Sequence, residues 1–214
     1  MDGPWDARLA RWLVAPLRGS PVTPNHVTTL RLVTGLGSAA AFWRGTYGWS
    51  NVAAALLVIS NLLDHADGEL ARLTGAFSRA GHVYDLASDA VVTTLLFIAI
   101  GAGVETWPPY LSGLSPLAFG AAAGSSIAFI FYVRMRIETL AGKGATQQAS
   151  AAGFETEDIL YLIPLITLGH GLVALLVAAG SFAPLYAIWV TVEYRRVRKG
   201  LESRIPQRST GALQ

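Results

Sequence analysis

The chain of 214 residues has no cysteine, so disulfides and thiolate metal sites are excluded. Charge is also scarce. Asp, Glu, Lys and Arg make up 14% of the residues, against about 25% in an ordinary soluble domain. The net charge of +2 is too small to argue for a partner by itself, and no nucleic-acid partner is expected. The N-terminus reads Met1-Asp-Gly-Pro-Trp-Asp. It lacks the short apolar core and cleavage site of a signal peptide, so it is expected to be retained. There is no internal repeat and no sign of a second domain, which leaves residues 1–214 as one unit. What fills the chain instead is apolar: 52% hydrophobic residues and a mean hydropathy of +0.44. Long apolar runs with little charge predict an all-α integral membrane protein.

One stretch breaks the apolar pattern. It reads Asp64-His-Ala-Asp67-Gly68-Glu-Leu-Ala71-Arg72, then eight residues, then Gly81-His-Val-Tyr-Asp85-Leu-Ala-Ser-Asp89. Val52–Leu63 runs into it and Ala90–Ile100 runs out of it. Four carboxylates thus stand at the ends of expected membrane helices, where a charged group costs roughly 2.5–3.5 kcal/mol at a helix centre. They would also repel one another, and a divalent cation is the simplest remedy. Asp64 and Asp67 are spaced i,i+3, and Asp85 and Asp89 i,i+4, so each pair shares a helix face. All-oxygen ligation suits Mg²⁺, Mn²⁺ or Ca²⁺ rather than zinc. Gly68 and Ala71 remove bulk beside Asp67, and Gly81 does the same one turn before Asp85. Arg72 adds a planar fork suited to phosphate oxygens. Cations, a guanidinium and smooth helix surfaces suggest a nucleotide diphosphate.

This pattern resembles the signature of the CDP-alcohol phosphotransferase (CDP-alcohol phosphatidyltransferase) family: D-x-x-D-G-x-x-A-R, eight residues, G-x-x-x-D-x-x-x-D. All eight fixed positions match, at Asp64, Asp67, Gly68, Ala71, Arg72, Gly81, Asp85 and Asp89. Helix-capping Asp residues at a membrane surface would explain Asp64 or Asp85 singly, but not the whole spacing. Outside this stretch the resemblance rests on the hydrophobic spans and on the start of the first. It implies that Asp64, Asp67, Asp85 and Asp89 hold one or two Mg²⁺ or Mn²⁺ ions against the diphosphate of a CDP-alcohol. It implies that Asp89 acts as general base on the acceptor hydroxyl, which attacks the β-phosphorus while CMP leaves. A metal-bound carboxylate is a weak base, so Asp89 either takes the proton or orients a hydroxyl that the metal acidifies. Arg72 would contact the phosphates, and Gly68, Ala71 and Gly81 would make room for cytidine. A similar Pro-Asn pair near the family's nucleotide site assigns Asn25 to CDP binding, although a simple helix start explains it as well. Phospholipid biosynthesis, a homodimer and a bilayer environment are implied too. The expected donor is CDP-diacylglycerol with a water-soluble alcohol or polyol as acceptor. The alternative is a CDP-headgroup donor with a lipid alcohol.

Along the chain, residues 4–18 predict an amphipathic helix for the bilayer interface or for the protein's own face, with Trp5, Leu9, Trp12, Leu13 and Leu17 at helical spacing. Thr23 and Pro24 suit the cap and first turn of the first span. Six spans are expected: Val27–Trp43, Asn51–Asp67, Gly81–Val104, Ser115–Tyr132, Glu157–Val177 and Ser181–Tyr194, with a basic tail over 195–214. Arg31 either snorkels or points into the site cavity. With both termini inside, the inner side carries the N-terminal Arg residues, Arg72, Arg79, Arg134, Arg136, Lys143 and the tail, and the outer side only Arg44. That bias puts the acidic cluster at the cytoplasmic face, expected to be that of a bacterial plasma membrane.

Arg134, Arg136, Arg195 and Arg196 end the fourth and sixth spans and are acceptor-site candidates or plain positive-inside anchors. Glu155, Glu157 and Asp158 near them argue against a fully basic phosphate pocket. They could cap a helix, pair with Arg134 or Arg136, or meet a polar headgroup. Gly120, Gly124, Ser125 and Ala128 form a small-residue face, for a dimer or for packing within one subunit. His65, Glu69, Arg79 and His82 flank the fixed positions and could tune substrate choice, whereas His170 reads as a packing residue. An intramembrane prenyltransferase would want two separate Asp motifs. A divalent-cation transporter would want acids near mid-membrane and a path to both sides.

Overall fold

The structure is a computed structural model that describes residues 5–104, 106–142 and 160–202. Seven α-helices occupy them, and there is no strand among the described residues. Helix α1 (Trp5–Val14) gives way to a 3-10 segment (Ala15–Gly19) at Pro16, which has no N–H to donate. Ala10 and Val14 are buried against Val27, Ala66 and Leu70, while Leu9, Trp12 and Leu13 stay exposed. The helix therefore packs on the protein and still offers an apolar and aromatic edge outward.

Helix α2 (Pro24–Trp43) begins as its sequence suggests, with Pro24 in first position and the Thr23 N–H donating to His26 Nδ1 at 3.3 Å. Helix α3 (Tyr47–Thr74) runs unbroken through the first half of the motif and stops at Gly75, whose φ of +68° is left-handed. Its 28 residues span about 42 Å, more than the roughly 30 Å of bilayer hydrocarbon. Helix α4 (Arg79–Gly103) is capped by Ser78, whose Oγ accepts from Gly81 N at 2.9 Å. Helices α5 (Pro116–Ala141), α6 (Ile163–Leu168) and α7 (Leu172–Glu202) follow.

Three of these are long and apolar enough to cross a membrane: α4, α5 and α7 up to Gly200. The first and second expected spans correspond to α2 and α3, which are long enough but carry Arg31 and the motif acids. The boundaries expected late in the chain need correction. Helix α7 is continuous where a break between a fifth and a sixth span was expected, and Pro184 sits inside it. The break comes instead at Gly169–Gly171, where His170 adopts φ +56°. Two apolar runs joined by small residues such as Ala178 and Ala179 carry no stop signal, whereas Gly-His-Gly does. Helix α7 also continues through Arg195–Glu202, the first part of the expected tail, and α5 extends past Arg134 and Arg136. Lys143, Glu155, Glu157, Asp158, Arg204 and Arg208 lie outside the described residues.

Helix α2 packs between α3 and α4, α4 on α5, and α5 on α7. Close approach is built from small residues. Ser38 Oγ donates to Ala53 O at 2.8 Å, and Ser60 Oγ to Arg31 O at 3.0 Å, locking α2 to α3. A Cβ on Gly120 would lie 2.2 Å from Phe97 O, and one on Gly124 2.7 Å from Thr94 O. Gly120 and Gly124 of the small-residue face of α5 therefore pack against α4 within the chain, whereas Ser125 is exposed. Contacts Gly101–Pro116, Phe97–Gly120 and Thr94–Gly124 make α5 antiparallel to α4. Gly180 meets Phe119, and Ala187 and Val190 pack with Ile130, Val133 and Ile137, so α7 runs parallel to α5. The start of α2, the end of α3, the start of α4 and the ends of α5 and α7 thus share one end of the bundle.

Candidate active site and metal centre

At that end three helices converge. The second half of α3 supplies Asp64 and Asp67, the first turns of α4 supply Asp85 and Asp89, and the first turns of α2 supply Thr28 and Arg31. One carboxylate oxygen from each of Asp64, Asp67 and Asp85 lies within 4.8 Å of the others. Asp67 is buried, while Asp64 and Asp85 are half-buried. Three hard oxygens at this separation, partly open to solvent, fit a divalent cation of the Mg²⁺ or Mn²⁺ kind. Asp89 joins the cluster through Arg31 rather than as a fourth member of that close group.

Arg31 is 4% exposed and sits at the centre. Its Nη1 reaches Asp64 Oδ1 at 2.7 Å and Asp85 Oδ1 at 2.6 Å, and its Nη2 donates to Asp89. Of the two sequence readings for Arg31, the inward one holds. A lone Arg in an otherwise apolar helix normally faces the bundle interior and pairs there, and that was the available signal. Thr28, one turn earlier, donates to Asp67 Oδ2 at 2.6 Å. Nothing in the spacing of the acidic motif points to Thr28, because its partner is 39 residues away. Next to it, Thr29 Oγ1 lies 3.0 Å from Tyr84 Oη, tying α2 to α4 again.

The residues assigned to the nucleotide fall in two places. On α3, Arg72 folds back along its own helix, so that a Cβ on Gly68 would meet Arg72 Nη2 at 3.5 Å. Arg72 Nη2 also pairs with Glu69 Oε1 at 3.0 Å. Ala71 beside it is half-buried. Between α2 and α4, a Cβ on Gly81 would lie 3.1 Å from Asn25 Oδ1, so Asn25 and Gly81 face each other where the two helices start. His65 Nδ1 is 3.0 Å from Asn61 O of its own helix, and Arg79 and His82 are exposed.

The four arginines proposed for the acceptor stand apart from this cluster, on the ends of α5 and α7. Arg134 is turned onto Tyr186 of α7, hydrogen-bonded to its Oη and with its guanidinium 5.8 Å from the ring centroid. Arg136, Arg195 and Arg196 are exposed. At the opposite end of the bundle His170 stacks on Tyr47 with centroids 4.6 Å apart, as a packing residue would.

Residues 21–193 match the sequence model of the CDP-alcohol phosphatidyltransferase family. No curated protein matches the chain.

Proposed function

Because the chain belongs to the CDP-alcohol phosphatidyltransferase family, whose members transfer a phosphate group from a CDP-alcohol to an alcohol, we propose that it uses CDP-diacylglycerol as donor and the hydroxyl of a water-soluble alcohol as acceptor, releasing CMP. The observation that carries this reading is the convergence of Asp64, Asp67, Asp85 and Asp89 with Arg31 and Thr28 at one end of three helices.

In this reading Asp64, Asp67 and Asp85 hold the cation, with Asp89 beside them. When bound, the cation neutralises charge on the diphosphate and lowers the barrier to displacement at phosphorus. Arg72 contacts the phosphates from the Gly68 side. Gly68 and Ala71, with Asn25 and Gly81 across the site, accommodate the nucleotide. Asp89 is the catalytic base: it accepts the acceptor's hydroxyl proton as that oxygen bonds to the β-phosphorus. The bond from that phosphorus to the bridging oxygen breaks, and CMP carries the electron pair away. Arg31 keeps Asp85 and Asp89 in register for these roles. Arg and Lys residues gather at this end, which supports a cytoplasmic site. Arg134, Arg136, Arg195 and Arg196 stand apart from the acidic cluster on the ends of α5 and α7, and in this reading they would draw an acceptor along the membrane surface toward it. Gly120 and Gly124 are taken by α4, so a second copy in a homodimer would dock elsewhere.

The test is CMP release by purified protein in lipid with Mg²⁺ or Mn²⁺. CDP-diacylglycerol and soluble CDP-alcohols are compared against a panel of acceptors. Metal-dependent release with CDP-diacylglycerol, lost in Asp89→Asn, is expected. Release only with a soluble CDP-alcohol and a lipid acceptor would reverse the donor assignment. Intact protein that neither releases CMP nor binds CDP would overturn the reading.

A further inference from the structure

Glu69 is left unspecified by the motif, yet it is among the most buried charged residues described, at 3% exposure. A buried carboxylate is costly unless it is paired. Here each oxygen takes its own guanidinium. Oε2 accepts from Arg11 Nε at 2.8 Å, and Oε1 lies 3.0 Å from Arg72 Nη2. The two arginines come from different places. Arg11 belongs to the amphipathic helix α1, and Arg72 is the motif's own cation. Both arginine side chains are more than half exposed, so solvent alone would not hold either head in one position.

The geometry around Arg72 gives this pairing a consequence. Glu69 and Arg72 are three residues apart on one face of α3. The same guanidinium lies over Gly68, where an added Cβ would touch it at 3.5 Å. Glu69 therefore parks the Arg72 head beside the bare helix surface that the nucleotide is proposed to use. Arg11 completes the carboxylate's second half. It can do so only while α1 is seated, with Ala10 and Val14 against Ala66 and Leu70.

We propose that Glu69 is a positioning residue for donor binding: it presets Arg72 for the donor diphosphate and couples that setting to the seating of the interfacial helix α1 through Arg11. The proposal rests on the donor assignment above. It predicts a donor-specific defect rather than a general one, because neither Glu69 nor Arg11 takes part in proton transfer or cation binding.

The test uses the full chain in lipid nanodiscs, with Mn²⁺ present, and measures CDP affinity by calorimetry together with donor KM and kcat. Glu69→Gln is expected to weaken CDP binding and raise donor KM about tenfold or more, the scale of one lost charge-assisted hydrogen bond. Acceptor KM should hold, and kcat should stay near wild type. Arg11→Gln is expected to shift the same constants in the same direction by less, and the double variant should match Glu69→Gln alone. Glu69→Asp should recover part of the loss. Arg11 is a surface group, so Arg11→Gln keeps the test informative if Glu69→Gln does not fold. Additive effects, a fall in kcat at unchanged donor KM, or lowered thermal stability with unchanged CDP affinity would each overturn the proposal. So would wild-type CDP affinity in Arg11→Gln. Wild-type protein that binds no CDP would instead remove the donor assignment, and the proposal with it.

Discussion

Replacing Thr28 with valine removes one hydroxyl from the site and almost no volume. That hydroxyl donates to Asp67 Oδ2 at 2.6 Å, and Thr28 and Asp67 are 3% and 6% exposed. Water is therefore poorly placed to replace it. A hydrogen bond to a charged acceptor is worth about 1.5–3 kcal/mol, which is roughly 10- to 150-fold in an equilibrium constant. Groups that orient metal ligands from behind typically cost 10–100-fold in metal affinity when removed, in agreement. Mn²⁺ binding to Thr28→Val should accordingly weaken by about one to two orders of magnitude. Thr28→Ser, which keeps the hydroxyl, should stay close to wild type. The assay is a direct Mn²⁺ titration by electron paramagnetic resonance, repeated as metal activation of CMP release. At saturating Mn²⁺ most of the kcat should return, because Thr28 touches no reacting atom. An unchanged Mn²⁺ affinity in folded Thr28→Val would mean that Asp67 is not a ligand, and would refute the assignment of the cation to Asp64, Asp67 and Asp85.

Two further substitutions probe how the site is framed. Gly120→Val would bring a Cβ to 2.2 Å from Phe97 O, a backbone atom that cannot move aside without lifting α5 from α4. Overpacking of this kind costs about 1–3 kcal/mol and should lower the thermal midpoint in detergent. Gly200→Ala, which meets nothing within 4 Å, should not. Gly81→Ala would press on Ser78 Oγ at 2.9 Å and Asn25 Oδ1 at 3.1 Å, both ends of small side chains. The fold should survive, and donor KM should rise several-fold as Asn25 is displaced. Unchanged KM would take Asn25 out of the nucleotide site.

The parts of the structure that were legible in the sequence are those set by local chemistry. Thr23-Pro24 starts α2 as expected, because a cap is a property of one or two residues. The i,i+3 and i,i+4 spacings of the four Asp residues put each pair on one helix face, and the fold brings the faces together. What was not legible depends on partners far along the chain. Arg31 meets Asp85 and Asp89 across 54 and 58 residues, and Glu69 meets Arg11 across 58. No periodicity encodes those distances. The misplaced break near residue 180 has a different cause. Hydropathy measures how apolar a segment is, and Leu172–Val192 carries no charged residue, so hydropathy marks no span end inside it. Gly169-His170-Gly171 was the better signal, since glycine on both sides of a left-handed residue ends a helix at little cost.

The position of Arg31 also bears on why the cluster calls for a second cation. Oxygens from Asp64, Asp67 and Asp85 stand within 4.8 Å of one another. At an effective dielectric of about 20, two unit charges at that separation repel by about 3.5 kcal/mol. Three such pairs together approach the whole stability of an ordinary domain, about 5–15 kcal/mol. Arg31 offsets part of this, because one guanidinium touches Asp64, Asp85 and Asp89 at once. It supplies one positive charge against four carboxylates, however, and Asp67 is bonded to the neutral Thr28 hydroxyl rather than to the guanidinium. With all four carboxylates ionised the cluster keeps a net charge of about −3. A divalent cation brings that close to neutrality without requiring Arg31 to leave. The guanidinium and such an ion would then have separate tasks. Arg31 joins α2 to α3 and α4, and a divalent cation held by Asp64, Asp67 and Asp85 would take up the remaining charge.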